Sequence, residues 1–506
     1  MWSRARYHRA VVAPALVIGG SMGMMLTMRN DPLNDVAMSE PEEASKMREF
    51  SLEEVKSSKR KILVIYKNDV FDITSFVNAH PGGKDKIMLA KGSFVEPYWS
   101  YYPQHTNNKY VVDSVLKPMK IGTLKESDRD SAPPAPNPYV SDPVRSHSLR
   151  IITPTPCNAE TTSEGLENWL TDSDDFYVRN HGPVPLASEK DSWSINLFSS
   201  PLKVSEIKSL AKSGKLSEIS VTATMQCGGN RRGYYRKKAN GTQWGHGAIS
   251  NARWKGVRVR DLMEHLDVKE EGKWFNALSE DGTLVSIPRH KVEDVNGDVI
   301  LAYEMNGEDI PRDHGYPVRL VVPGYVGVRN VKWVKKVWFG EEVSSMWQTG
   351  LAYKILPTDV DSKKVEKVDL SKYKGMMEMP VTSVIRKAVV GKDGVLRCEG
   401  FAWSGGGRGI HRVDISVDGG SSWHCVDLKE GKDQPPHKAW AWTFWEAEVD
   451  VKDINVEEVV VKAVDVAGNS QPSEGKDIWN VRGLGNNSWH YKRIDREDDW
   501  DNSRFG

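Results

Sequence analysis

The octapeptide Met225-Gln226-Cys227-Gly228-Gly229-Asn230-Arg231-Arg232 sets one thiol beside two glycines and two arginines, directly after the β-like run 219–224. Glycines let the backbone approach a bulky group, and neighbouring guanidinium charges favour the thiolate, which is the nucleophilic and metal-binding form. A soft thiolate suits a soft or high-valent metal, and arginine forks suit oxyanions. A half-buried cysteine ahead of a basic turn would use the same residue types, so this stretch alone leaves both readings open. Upstream, His80-Pro81-Gly82-Gly83 puts an imidazole beside backbone with little side-chain cover, and His105 follows the aromatic stretch Tyr98-Trp99-Ser100-Tyr101-Tyr102. Two imidazoles can fill both axial positions of a haem iron and leave no place for oxygen, giving a centre that carries electrons. Either histidine alone would read as a surface or capping residue.

Elements able to hold these groups can be read around them. At 506 residues the chain has room for about three domains. Its 69 basic and 69 acidic residues balance, which gives no support for a nucleic-acid or polyanion partner. The basic run Arg231 to Lys238 reads as a positive rim to an anion channel, not as an RNA site. Four widely spaced cysteines suggest neither a disulfide scaffold nor a zinc knuckle.

Residues 1–30 form a separate unit. Arg4, Arg6, Arg9 and Arg29 precede or flank the apolar stretch Ala10 to Met28, and no acidic residue occurs before Asp31. This is the pattern of a mitochondrial presequence followed by a sorting signal for the intermembrane space. Glycines and Pro14 weaken it as a lasting anchor, so removal is expected, with membrane contact only if the segment is retained.

Residues 48–124 predict a small α+β domain: Ser51 and Glu54 as a capping box, strands at 62–66 and 70–73, then the two histidines. Residues 125–147 contain five prolines and many charges, the composition of a semi-rigid linker, although a strap packed on the next domain would use the same residues. From 148 to 372, short strands and glycine turns predict a β-rich mixed α+β domain, with one helix at 204–211 ending near Gly214. From 373 to 495, period-two strands such as 412–417 and 458–465 around the turn Asp418-Gly419-Gly420 predict an immunoglobulin-like β-sandwich. The fold class is thus α+β and multidomain.

Tyr102-Pro103-Gln104-His105 and Lys120-Ile121-Gly122-Thr123-Leu124, together with His80-Pro81-Gly82-Gly83, resemble a cytochrome b5 domain. That resemblance implies haem b with His80 and His105 on its iron. The stretches 175–183, 225–232, 244–250, 311–319 and 328–333 together resemble the molybdenum domain of the sulfite oxidase family and of its relative, assimilatory nitrate reductase. The resemblance implies that Cys227 ligates molybdenum carried by molybdopterin. It further implies that Tyr177, Val178, Arg179, Asn180, His181, Asp281, His314, Arg319, Asn330, Val331 and Lys332 hold the pterin and its phosphate. Arg179, Arg232 and Arg482 would bind the anion, Trp244 would line its site, and Tyr353 would donate a hydrogen bond there. Gly228 stands where the family more usually has alanine, a departure that changes no charge or donor.

The implied reaction is oxidation of sulfite to sulfate by oxygen-atom transfer, with electrons passing through the haem to cytochrome c, in a homodimer formed by the sandwich. The haem region is nearly neutral and implies no net-charge steering toward that carrier. A nitrate-reductase-like enzyme would carry its cytochrome b5 module after the molybdenum domain and add a flavin domain. A non-catalytic haem carrier would have no use for Cys227, Arg179 and Arg232 together.

Overall fold

The computed structural model describes residues 48–80, 84–100, 105, 111–129, 137–186, 192–344 and 352–496. The expected targeting segment 1–30, the glycines after His80, residues 102–104 and residues 347–351 lie outside the described residues.

In the first module, a four-stranded sheet runs in the order Glu49–Phe50, Lys120–Leu124, Asp69–Asp72, Leu63–Tyr66. Helix Leu52–Ser57 starts with the expected capping box: Glu54 N–H donates to Ser51 Oγ at 3.1 Å and Ser51 N–H donates to Glu54 Oε2 at 2.7 Å. Strand alternation divides the apolar residues between two faces. Leu63, Ile65 and Val70 join Phe50, Val55, Phe94 and Leu124 on one side, while Val64 and Phe71 face the helical side with Ile73, Val77, Val95 and Leu116. At Gly122 a Cβ would run into the Arg48 carbonyl, so the closing strand needs a glycine there.

The middle region contains two five-stranded sheets and one of three strands. One five-stranded sheet is built on the antiparallel pair Glu218–Gln226 and Ile249–Arg258, and Ile300–Met305, Glu308–Asp309 and Arg319–Val321 complete it. The other centres on Trp274–Ser279 between Leu284–Pro288 and Val334–Gly340. Helix Val204–Lys212 lies where its spacing predicts, and Gly214 follows it with φ of +73°. The largest apolar cluster holds Ile195, Phe275, Ile287, Leu320 and Val337. Beyond it, a five-stranded and a four-stranded sheet form the C-terminal sandwich around Leu396, Val413, Ile415, Trp445 and Val461.

The described end of the expected linker is a strap. Asp142 and Arg145 are half-buried, and Arg145 donates to Asp313 through Nε at 2.9 Å and Nη2 at 3.0 Å. Arg312 Nη1 fastens the same stretch by donating to the Ser141 carbonyl at 2.8 Å.

Candidate active site

Cys227 is the first residue past strand Glu218–Gln226, and its N–H extends the ladder to the Ala248 carbonyl at 2.9 Å. The chain then turns sharply: Asn230 N–H donates to the Cys227 carbonyl at 2.9 Å, and Arg231 takes a left-handed φ of +62°. Within this turn Gly229 N–H points at Cys227 Sγ from 3.5 Å. A Cβ on Gly229 would meet the Arg232 guanidinium at 2.5 Å, so the second glycine is what lets that arginine fold back over the loop. At Gly228 a Cβ would lie 3.0 Å from Val326 Cγ2 and 3.5 Å from Tyr353 Cε1, so an alanine there requires Val326 to yield slightly.

The C-terminal region grips this turn from outside. Gly485 N–H donates to the Gly228 carbonyl at 2.8 Å, and Asn486 Nδ2 donates to the Arg231 carbonyl at 2.8 Å. Arg231, 1 % exposed, donates to the carbonyls of Ser488 and Trp489 at 2.7 and 2.9 Å. Arg232 Nε donates to the Arg482 carbonyl at 2.9 Å. A loop carrying two adjacent guanidiniums is thereby held with no carboxylate bonded to either among the described residues, which leaves the neighbourhood cationic.

A cavity opens beside Cys227. Of the residues expected at the pterin, Tyr177, Arg179, His181, Asp281, His314, Arg319, Asn330, Val331 and Lys332 line it, and so does Tyr353. Val178 and Asn180 do not. Val178 packs in a small cluster with Leu149, Cys157 and Ala159. Asn180 stands behind the wall, donating to Asp313 Oδ1 at 2.8 Å and accepting from Lys332 Nζ. Trp244 is 1 % exposed and packs in the same apolar cluster as Cys227, with no face on the cavity. Arg232 and Arg482 lie behind the Cys227 loop and also do not line the cavity.

Several expected ligands have their polar atoms engaged by protein. Lys332 Nζ donates to the carbonyls of Arg179 and Asp313 at 3.1 and 2.8 Å as well as to Asn180. Asn330 accepts from Val322 N–H at 2.7 Å and donates to the Val326 carbonyl at 3.3 Å, so its side chain shapes the wall. Arg319 gives its two terminal nitrogens to the carbonyls of His314 and Asn330 at 2.8 and 2.9 Å, while its buried Nε finds no partner among the described residues. Asp313 and Arg145 were not singled out from the sequence. Their ion pair joins positions far apart in the chain, and no local pattern marks it.

The cavity disfavours its own cations. Burial, opposed by Asp313, pushes Lys332 down to about 7, and burial pushes Arg319 down to about 10 and His314 down to about 3. His181 is held well below its usual value by burial and by the charges of Arg179 and Lys332. Burial and the nearby Cys227 sulfur raise Tyr353, while Arg179, Arg232 and Arg329 act the other way. The buried Arg319 Nε, without a partner among the described residues, and the desolvated cations around it are groups that a pterin phosphate would satisfy. The donor set therefore fits molybdopterin, with Cys227 as the one thiol on the cavity wall among the described residues.

In the first module the ring centres of His80 and His105 lie 5.9 Å apart with planes within 12°, which brings together the two imidazoles that would hold a haem iron.

Residues 45–125 match the family described as cytochrome b5-like heme/steroid binding domain, 181–348 the oxidoreductase molybdopterin binding domain, and 372–497 the Mo-co oxidoreductase dimerisation domain. The mitochondrial sulfite oxidase of Rattus norvegicus is 41% identical over 466 residues, covering 88% of this chain and 83% of that protein. The sulfite oxidase of Gallus gallus is 39% identical over 460 residues, covering 87% of this chain and 98% of its own length. Among solved structures, the sulfane dehydrogenase SoxCD of Paracoccus pantotrophus superimposes with a TM-score of 0.56 at 25% identity, covering 71% of this chain and 95% of that one. With a molybdopterin-type cavity, a bis-histidine module and this similarity along most of its length, the chain belongs to the sulfite oxidase family.

Proposed function

We propose that this protein oxidises sulfite to sulfate, taking one water and releasing two protons and two electrons per turnover. The observation that carries the reading is the Cys227 thiol on the wall of a cavity lined by desolvated cations, in a chain that also holds the His80 and His105 pair. Molybdopterin-bound molybdenum supplies the oxygen-atom-transfer and two-electron chemistry, and haem b releases the electrons singly.

In this reading Cys227 is the thiolate ligand, and Gly229 N–H at 3.5 Å helps to orient its sulfur. Arg319 Nε and His181 meet the pterin phosphate, and Lys332 contributes charge more than hydrogen bonds because its ammonium is already saturated. Asp281 faces the pterin; its Oδ1 is partly used by Thr283 N–H at 2.9 Å. Arg179, on the cavity wall, meets the substrate anion, while Arg232 and Arg482 add positive charge from behind the Cys227 loop. Tyr353 orients the anion with its hydroxyl, which burial keeps protonated. Trp244 supports the Cys227 loop from the apolar side and does not touch the substrate.

Electrons pass to cytochrome c in the mitochondrial intermembrane space, and the C-terminal sandwich forms a homodimer. The mitochondrial names of the relatives support the mitochondrial location, and the dimerisation-family match at 372–497 supports the homodimer. The haem module precedes the molybdopterin region in the chain, opposite to the order expected of a nitrate reductase. The test is sulfite-dependent reduction of cytochrome c by purified protein, with protein from tungsten-grown cells as control. Reduction that disappears with tungsten supports the reading; a molybdenum-loaded protein inert toward sulfite overturns it.

A further inference from the structure

Arg329 is fully buried yet does not line the cavity. Its Nε and Nη2 both donate to the Met376 carbonyl, at 3.2 and 3.0 Å. Met376 N–H in turn donates to the Tyr353 carbonyl at 2.8 Å. Three segments meet here: Val326 N–H bonds the Met377 carbonyl at 2.7 Å, and bridges join Tyr325 to Glu378 and Lys354 to Gly375. On its other side the Tyr353 ring abuts Gly228, next to the Cys227 thiol. The hydroxyl of Tyr353 is therefore placed by a short relay that starts at a guanidinium.

Burying that guanidinium is costly, since burial pulls Arg329 down to about 10. An apolar residue of similar size would fill the space more cheaply if only packing were needed. What an apolar residue cannot do is fork two donors onto one carbonyl and fix the Met376 backbone in angle as well as distance.

We propose that Arg329 is a positioning residue for Tyr353, acting through Met376 to hold the phenol over the Cys227 loop; the proposal rests on the reading of Tyr353 as the residue that orients sulfite. Reacting groups displaced by about 1 Å lose on the order of 10²-fold in rate, so a lysine in place of Arg329, with one donor and no fork, should register in kinetics before it registers in folding.

The experiment is a double-mutant cycle on the holoenzyme: steady-state sulfite kinetics of the wild type, Arg329→Lys, Tyr353→Phe and the double variant, each with molybdenum content and melting temperature. The expected result is that each single change lowers kcat/KM by about tenfold or more at full molybdenum content, and that the double variant is no worse than the poorer single one. Multiplied effects overturn the proposal, as does Arg329→Lys at wild-type kcat/KM. If Arg329→Lys loses molybdenum or fails to fold, Arg329→Gln replaces it, and the same failure in both assigns Arg329 a purely architectural role against the proposal. Wild-type kcat/KM in Tyr353→Phe alone would instead remove Tyr353 from the substrate site, and the proposal with it.

Discussion

Arg179 and Arg319 illustrate two uses of one side chain. Arg319 gives its terminal nitrogens to carbonyls and leaves Nε without a partner among the described residues, whereas Arg179 anchors through Nη1, donating to Asn158 Oδ1 and the Asn180 carbonyl at 2.8 and 2.5 Å. Arg179→Gln keeps a donor but removes the charge. It is expected to raise the KM for sulfite by about tenfold or more while leaving molybdenum bound, because a charged hydrogen bond to an anion is worth roughly 1.5–3 kcal/mol. Steady-state kinetics checks this, and an unchanged kcat/KM would remove Arg179 from the anion site. At this scale the sequence was informative about which residues surround the cavity and poor on which of their atoms face it. Lys332 and Asn330 line the wall, but their polar atoms are consumed by neighbours that only the folded chain reveals.

At the scale of elements, local signals gave local structure. The Ser51 capping box, the helix ending before Gly214 and the strand leading into Cys227 all follow from residues within a few positions of one another. The strap was legible only as one of two options, since its composition suits a free linker and its anchor, Asp313, comes from a distant segment. Side-chain exposures of 12% and 7% make the Arg145 and Asp313 pair nearly buried, and removing one partner of such a pair costs about 3 kcal/mol. Arg145→Ala should therefore lower the melting temperature by several degrees and weaken retention of molybdopterin, because Asp313 and Lys332 share one wall. Thermal melts with molybdenum analysis test it; wild-type values for both would show the strap to be incidental. A second element-scale consequence concerns acid. Burial, reinforced by the Arg231 charge, holds His246 down to about 4 and His490 well below its ordinary value near 6.5. Both imidazoles are neutral when folded and protonate more readily when unfolded, so their contribution is complete above about pH 6.5 and is lost progressively as pH falls toward 4. The melting temperature should drop between pH 7 and 5, less steeply in His246→Gln; equal slopes would show that His246 does not drive the loss.

For the whole molecule, the sandwich does two jobs. It braces the Cys227 loop through Arg482, Gly485, Asn486 and Ser488, and it lies within the dimerisation-family match. Sedimentation at micromolar concentration should give twice the chain mass, and a monomer there would contradict the dimer. Division of the chain into haem, cofactor and sandwich regions could be read from motifs and strand periodicity. That the third region supplies backbone partners to the catalytic loop of the second could not, because those contacts are made by carbonyls and N–H groups that carry no sequence signature.

Everything converges on one sulfur among fixed positive charges, and the most direct measurement is the initial rate of sulfite-dependent cytochrome c reduction by the purified Cys227→Ser variant. A hydroxyl is a poor substitute for a thiolate toward a soft or high-valent metal, so the rate should fall by on the order of 10³-fold. Turnover at the wild-type rate would contradict the assignment of Cys227 as the metal ligand.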